Sequence, residues 1–309
     1  MACAITKKMG KSAWKKTPEE YVANLVAVFA EVRRVLRDDG TLWLNLGDSY
    51  AGSGRGANSN GKQGTNKGTN FNPKNSGFVP DGLKPKDLIG IPWRVAFALQ
   101  ADGWYLRQEI IWHKNNPMPE SVKDRCTKSH EHVFLLSKNA RYFWNYEANM
   151  EEAAYDGRKD CQMKGSAKYQ DVDIPGAKAN SLHVGGHTRW TFKDGKAYRN
   201  RRSVWSIPTK PSREAHYAMM PPRLAELCIL AGSRPGDVIL DPFAGAGTTG
   251  MVARQLQRGF VGIELSKESC QIAHRRIYEE PKQAKAKTVR GKYKDALTPS
   301  DLFAQQKLW

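Results

Sequence analysis

A chain of 309 residues with 40% apolar content is long enough to bury a sizeable core, so one large α/β domain, or one domain carrying an insertion, is expected. Its 49 Lys and Arg against 31 Asp and Glu leave a net charge of +18, which favours an anionic polymer as partner, nucleic acid first. The composition argues against a membrane-spanning chain, having no run of 18 apolar residues, against an exported one, and against a disulfide scaffold, since Cys3, Cys126, Cys161, Cys228 and Cys270 form no CxxC pair.

Residues 1–16, MACAITKKMGKSAWKK, are short and polar and match no core element. From Thr17, TPEEYVANLVAVFAEVRRVLRDDG predicts a capped amphipathic helix with Thr17 as N-cap, Pro18 at the first helical position and Glu20 at the third, ending near Leu36. The run TLWLNLGDSY has the length and composition of a buried strand that turns at Gly47. Residues 51–85, rich in Gly, Asn, Ser and Lys, predict a mobile loop, either a disordered linker or a segment whose Arg55, Lys62, Lys67 and Lys74 fold over DNA on binding. A helix from Lys86 to Asp102-Gly103, a strand over 104–113, a polar turn, a strand over 132–137 and a turn at Tyr142-Phe143-Trp144 follow. Cys126, His130 and His132 cluster in this stretch but lack a second ligand pair, so no metal is expected. Residues 147–203 are charged and Gly-rich without periodicity, and read as an insertion rather than core.

Regular pattern returns with a helix over 220–231 and then GDVILDPFAGAGTTGMVARQLQRGFVGIELSKESCQIAHRRI, which reads strand, Gly-rich turn, helix, strand, helix. This is a βαβ unit of a doubly wound α/β sheet. Gly245, Gly247 and Gly250 have GxGxxG spacing, with Thr248 opening the helix, and permit a tight turn that a ligand can approach closely. Glu264, 23 residues beyond Asp241 (264 − 241), stands at the next strand end, where a carboxylate accepts both ribose hydroxyls of an adenosine. The glycines alone leave NAD and S-adenosylmethionine open as cofactors.

The surrounding letters narrow that choice. DPFAGAGTTG resembles motif I of the β-group DNA amino-methyltransferases, and His216-Tyr217 with Pro221-Pro222-Arg223-Leu224 resembles their motif X, which closes over the methionine end of the cofactor. LWLNLGDSY, IGIPWRVAFALQADGWYLRQEIIWHK, RCTKSHEHVFLLSK and RYFWN are similar to the family's middle section, so the resemblance runs over residues 17–280. It implies a Rossmann-like, S-adenosylmethionine-dependent methyltransferase fold in circularly permuted order with an inserted basic region. It further implies methyl transfer to adenine N6 or cytosine N4 in DNA, both bases staying open. By the same resemblance, Asp241, Phe243, Gly245, Gly247, Thr248 and Glu264 would line the cofactor, with Asn45 joining them from a neighbouring strand end. The implied organisation is a central methyltransferase half over 17–138, a basic target-recognition insertion over 139–215 with Arg189, Trp190, Arg199, Arg201 and Arg202 as DNA contacts, a cofactor half over 216–280 and a basic tail over 281–309. A cytoplasmic enzyme of bacterial or phage-encoded type is implied, either the modification half of a restriction system or a stand-alone enzyme.

One departure from the family stands out. Its chemistry rests on Asp, Asn or Ser followed by Pro-Pro and an aromatic residue, which accept hydrogen bonds from the flipped base's amine and stack on the base. The only Pro-Pro here, Pro221-Pro222, follows Met220 and precedes Arg223. Asp48 and Tyr50, in Asp48-Ser49-Tyr50, are the remaining candidates for catalysis. The tetrapeptide belongs at the end of a central strand lying before Thr17, and residues 1–16 are too short and polar to supply that strand together with the edge strand before it. The expectation is therefore a sheet without its central strand, to be explained by truncation, by a complementing chain or homodimer, or by a protein that binds DNA and cofactor without catalysis.

Overall fold

All six residues of strand β2 (Thr41–Leu46) are buried, so both faces of the sheet that holds it must be covered. The computed structural model describes residues 3–6, 17–52, 79–152, 191–193, 196–209 and 220–279. Around β2 these form β1 (Cys3–Thr6), α1 (Pro18–Val35), α2 (Ile91–Ala101), β3 (Tyr105–His113) and β4 (His130–Ser137). After them come β5 (Met150–Glu152), β6 (Thr191–Lys193), β7 (Lys196–Asn200) and β8 (Val204–Ser206). The last group is α3 (Pro222–Gly232), β9 (Val238–Asp241), α4 (Thr248–Gln255), β10 (Gly259–Gly262) and α5 (Lys267–His274).

The main sheet has seven strands in the order β10-β9-β1-β2-β4-β3-β8. Only β4 runs against its neighbours; the pairs β10–β9, β9–β1, β1–β2 and β3–β8 are all parallel. On one face, Leu42, Leu44, Phe134, Leu136 and Leu240 pack beneath Tyr21, Leu25, Phe29, Val95 and Leu99 of α1 and α2. On the other, Trp43, Val133, Leu135, Trp112 and Trp205 pack beneath Leu224, Cys228, Val252 and Ala253 of α3 and α4. The doubly wound architecture expected from the βαβ pattern is thus present, and β5, β7 and β6 form a separate three-stranded sheet.

Local chemistry accounts for the helix ends. Thr17 caps α1, its Oγ1 accepting from Glu20 N at 3.1 Å, while Glu19 and Glu20 in the first turn and Arg33 and Arg34 in the last complement the helix dipole. The helix expected from Lys86 starts instead at Ile91. Residues 86–89 bond across to residues 49–51, beyond the end of β2: Ala51 N donates to Asp87 O, Lys86 N to Ala51 O and Ile89 N to Ser49 O.

Two expectations need correction. The central strand is present: β1 pairs with β2 from Cys3↔Thr41 to Thr6↔Leu44, and with β9 at Cys3↔Ile239 and Ala4↔Leu240. Four residues suffice because each neighbour supplies a ready hydrogen-bonding edge, a non-local gain that the polar context of residues 1–16 concealed. The stretch 147–203 is not wholly outside the core either. Its Ser203 carbonyl accepts from Ile111 N at 2.8 Å, Asn149 is buried, and the β8 that follows adds a buried Trp205 whose ring lies tilted against Trp43 at 6.1 Å. Arg55, Lys62, Lys67 and Lys74 lie outside the described residues.

The placement of β1 is testable by substitution at Ala4, which is in register with Leu42 and Leu240. Proline there removes a ladder donor inside a central strand, leaving a buried carbonyl unpaired at about 1–3 kcal/mol. Thermal melts of Ala4→Pro should show a clear drop from wild type; an unchanged melting temperature would mean that residues 3–6 do not sit between β2 and β9.

Candidate active site

Where the connections of a parallel sheet change direction, the loops part and leave a crevice at the carboxyl ends of the strands. Here β9 continues through α4 outward to β10, whereas β1 continues through α1 to β2 on the other side. The crevice therefore opens between β9 and β1.

The wall on the β9 side is the glycine turn. Asp241, buried, holds it from within: one carboxylate oxygen accepts from Phe243 N at 3.0 Å and the other from Thr249 Oγ1 at 2.7 Å. The turn needs glycine at two points for different reasons. Gly247 has φ +73°, and a β-carbon there would meet Ala273 Cβ at 2.8 Å; at Gly250 one would meet both Ile277 Cδ1 and the Phe260 ring at 2.6 Å. Gly245 also has positive φ. Phe243 lies beside the core of the α1 face, edge-on to Phe29 at 6.4 Å. Thr248, at the start of α4, accepts from both terminal nitrogens of Arg276, which also donates to Ala246 O. Arg276, which the sequence reading missed, thus fastens the chain after α5 to the turn.

Glu264 lies two residues beyond β10 and reaches back into the turn. Its Oε2 accepts from Gly245 N and its Oε1 from Ser266 N, both at 2.9 Å. The neighbouring Leu265 is 97% exposed, a large apolar side chain open at the crevice mouth that spacing arguments gave no reason to notice. Asn45, on β2 across β1 from the turn, is buried; its Nδ2 donates to His132 O at 3.1 Å, and its Oδ1 is buried without a partner among the described residues.

Asp48 and Tyr50 have structural partners. Asp48 caps α2 from outside the helix: Ile91 N donates to its Oδ1 at 3.0 Å, Gly90 N lies 3.0 Å from both its oxygens, and Ser49 N donates at 2.9 Å. Gly90, the α2 N-cap, has no side chain to serve itself. Tyr50 lies under the Arg125 guanidinium, 4.1 Å from its ring centroid.

The basic candidates divide. Arg199 and Arg202 both bond Glu151 Oε1, at 3.0 and 2.7 Å. Burial pushes the Glu151 carboxyl up, but the hydrogen bonds from Arg202 and Arg199 outweigh it and hold the group below the usual carboxylate range. Arg201 points inward, donating to Met150 O at 3.0 Å, and burial together with the charge of Arg223 lowers its own pKa. Of the three, Arg202 is the most open, with 70% of its side chain exposed. Arg189, Trp190, His216 and Tyr217 lie outside the described residues.

Comparison with known proteins adds to this geometry. A family profile described as DNA methylase matches residues 4–275. The type II methyltransferase M.SmaI of Serratia marcescens is 45% identical over 258 residues, covering 84% of this chain and 74% of that protein. M.Cfr9I of Citrobacter freundii, also a type II methyltransferase, is 44% identical over 261 residues, 84% of this chain and 72% of the other. Among solved structures, the PvuII DNA methyltransferase (cytosine-N4-specific) superimposes with a TM-score of 0.59 at 15% identity, over 91% of this chain and 80% of that one, a likeness of fold.

Two measurements probe the local energetics. Gly247→Ala forces a side chain into left-handed backbone against Ala273 and should cost about 1–3 kcal/mol, read as a lowered melting temperature; full stability would show that the turn is not held as described. Glu151 contributes stability in full above the ordinary glutamate value of 4.5 and loses it as pH falls through the lowered folded value. Acid titration should therefore destabilise the wild type more than Glu151→Gln, and equal losses would show that the arginine cluster does not support the fold.

Proposed function

The chain belongs to the N6/N4 DNA methylase family, S-adenosylmethionine-dependent enzymes that methylate an exocyclic amine at specific DNA sites, and on that footing we propose how its own residues divide the work. The observation that carries the reading is the crevice beside the glycine turn, with the Glu264 carboxylate at Gly245 N and an unpaired acceptor at Asn45 Oδ1. These residue types suit S-adenosylmethionine: a carboxylate for ribose hydroxyls, the exposed Leu265 for the flat adenine, and an amide oxygen for the ammonium of the methionine end. When bound, the cofactor supplies an electrophilic methyl group on sulfur.

Asp241, Thr248, Thr249 and Arg276 set the turn's shape, Gly245 presents backbone to the ligand, Gly247 and Gly250 let α5 close against the turn, and Phe243 ties it to α1. Asp48 and Tyr50 are read as positioning residues, the first for α2 and the second for the segment bearing Arg125. Residues 139–215 are proposed as the target-recognition region, with Arg202 reaching DNA phosphate and Arg201 supporting the local fold.

A second reading keeps cofactor and DNA binding without transfer by this chain alone. The absence from the sequence of an Asp, Asn or Ser-Pro-Pro-aromatic run favours it, and a complementing chain or second copy would then complete the site.

Transfer of radiolabelled methyl from S-adenosylmethionine to unmethylated duplex DNA, with cofactor binding followed by calorimetry, separates the two readings. Both readings require binding; label in DNA supports transfer by this chain, binding without label supports the second, and no binding by folded protein would overturn both. Glu264→Gln should weaken cofactor binding about 10–100-fold, the worth of hydrogen bonds to a charged group, and also lower the melting temperature, because one of the bonds from Gly245 N and Ser266 N loses its acceptor. Unchanged affinity would remove Glu264 from the site.

A further inference from the structure

The loop over 114–129 leaves the carboxyl end of β3 and returns as β4. Leu46, the last residue of β2, is in register with His132, so this loop stands on the same edge of the sheet as the cofactor turn. From β1 it is three strand spacings away along the order β1-β2-β4-β3, about 14 Å.

The loop is braced throughout. Lys114 N donates to Ser129 O at 2.8 Å, closing its base, and Lys114 Nζ meets Glu131 at 2.6 Å. Asn116 and Thr209 bond each other twice, Asn116 Nδ2 to Thr209 O at 3.2 Å and Thr209 N to Asn116 Oδ1 at 2.9 Å. Glu120 accepts from Arg125 at 2.6 Å, Arg125 lies over Tyr50, and Lys86 pairs with Asp124 at 2.6 Å. The arginine holds the Glu120 carboxyl below its usual range, so this tie persists at neutral pH.

On this scaffold Met118 is 84% exposed between Pro117 and Pro119. A lone exposed apolar residue is ordinary. Here, however, the flanking prolines fix the backbone as extended and both arms are tied down, so the side chain is presented rather than merely left outside. Over residues 114–129, Lys114, Lys123, Arg125 and Lys128 against Glu120 and Asp124 leave a net charge of +2 (4 − 2), which favours approach to a phosphate backbone.

Resting on the reading of this chain as an enzyme that acts on a base in duplex DNA, we infer that Met118 is a wedge that enters the base stack beside the target and fills the gap left when that base swings out. Extrusion breaks stacking on both sides of the base, and apolar side chains, methionine among them, are suited to insertion at such a step. The flexible, polarizable thioether adapts to whichever bases flank the gap. Met118 touches neither cofactor nor the reacting amine; it is a positioning residue.

Binding of the full chain to two fluorescent duplexes of one sequence, one intact and one with a single abasic site, tests this at fixed salt. A wedge finds the stack already open at the abasic site, so the wild type should bind that duplex about tenfold more tightly. Met118→Ala should abolish the preference while binding the intact duplex within about twofold of wild type, because its phosphate contacts remain. Met118→Leu should retain the preference, and all three should melt alike. A preference that survives in Met118→Ala, or that is absent from the wild type, overturns the wedge and leaves DNA binding standing. Folded protein that binds neither duplex overturns the DNA-binding reading itself, and the wedge with it.

Discussion

Strand β1 is bonded on both sides, and the rest of the molecule is arranged around that fact. Its partner β2 carries α1 and α2 on one face of the sheet; its partner β9 leads into the glycine turn and α4. Without β1, β2 and β9 would each present an unpaired edge, and there would be no common crevice for the turn and Asn45 to share. Four residues thus join the half of the chain that builds the sheet's centre to the half that carries the glycine turn.

The crevice itself is rigid through hydrogen bonds that no ligand needs to make. Asp241 is occupied by Phe243 N and Thr249 Oγ1, and Arg276 ties Thr248 and Ala246 to the end of α5. Glycines at 247 and 250 allow α5 to approach closely enough for this. The family resemblance puts Asp241 and Thr248 at the cofactor, and in the fold their side chains also hold the turn itself together. Groups with open capacity are fewer: the Oδ1 of Asn45, the exposed face of Leu265 and the carboxylate of Glu264.

Features encoded over a few consecutive residues were legible in the sequence. The Thr17 cap, the buried run of β2 and the spacing from the glycines to Glu264 are of this kind, and each appears where local pattern puts it. Features made by distant partners were not. Four residues of β1 and three of β8 are too short for any periodicity, and what places them is pairing with strands far along the chain. The start of α2 lies five residues later than the local pattern suggests (91 − 86) because residues 86–89 pair with residues 49–51 beyond β2. Charge composition likewise does not distinguish Arg202, largely open, from Arg201, turned inward, although they are adjacent.

The position of β1 also carries a cost in time. Cys3 pairs with Ile239, 236 residues later (239 − 3), so during synthesis the strand waits for its second partner. At 5–20 residues per second that delay is roughly 12–50 s, far longer than the microseconds in which α1 can form. Throughout the interval the nascent chain holds an open parallel edge beside β2, one that another strand could occupy. A crevice between strands 236 residues apart (239 − 3) is completed only once β9 has been made, and the ribosome's pace sets how long the unfinished sheet stays exposed.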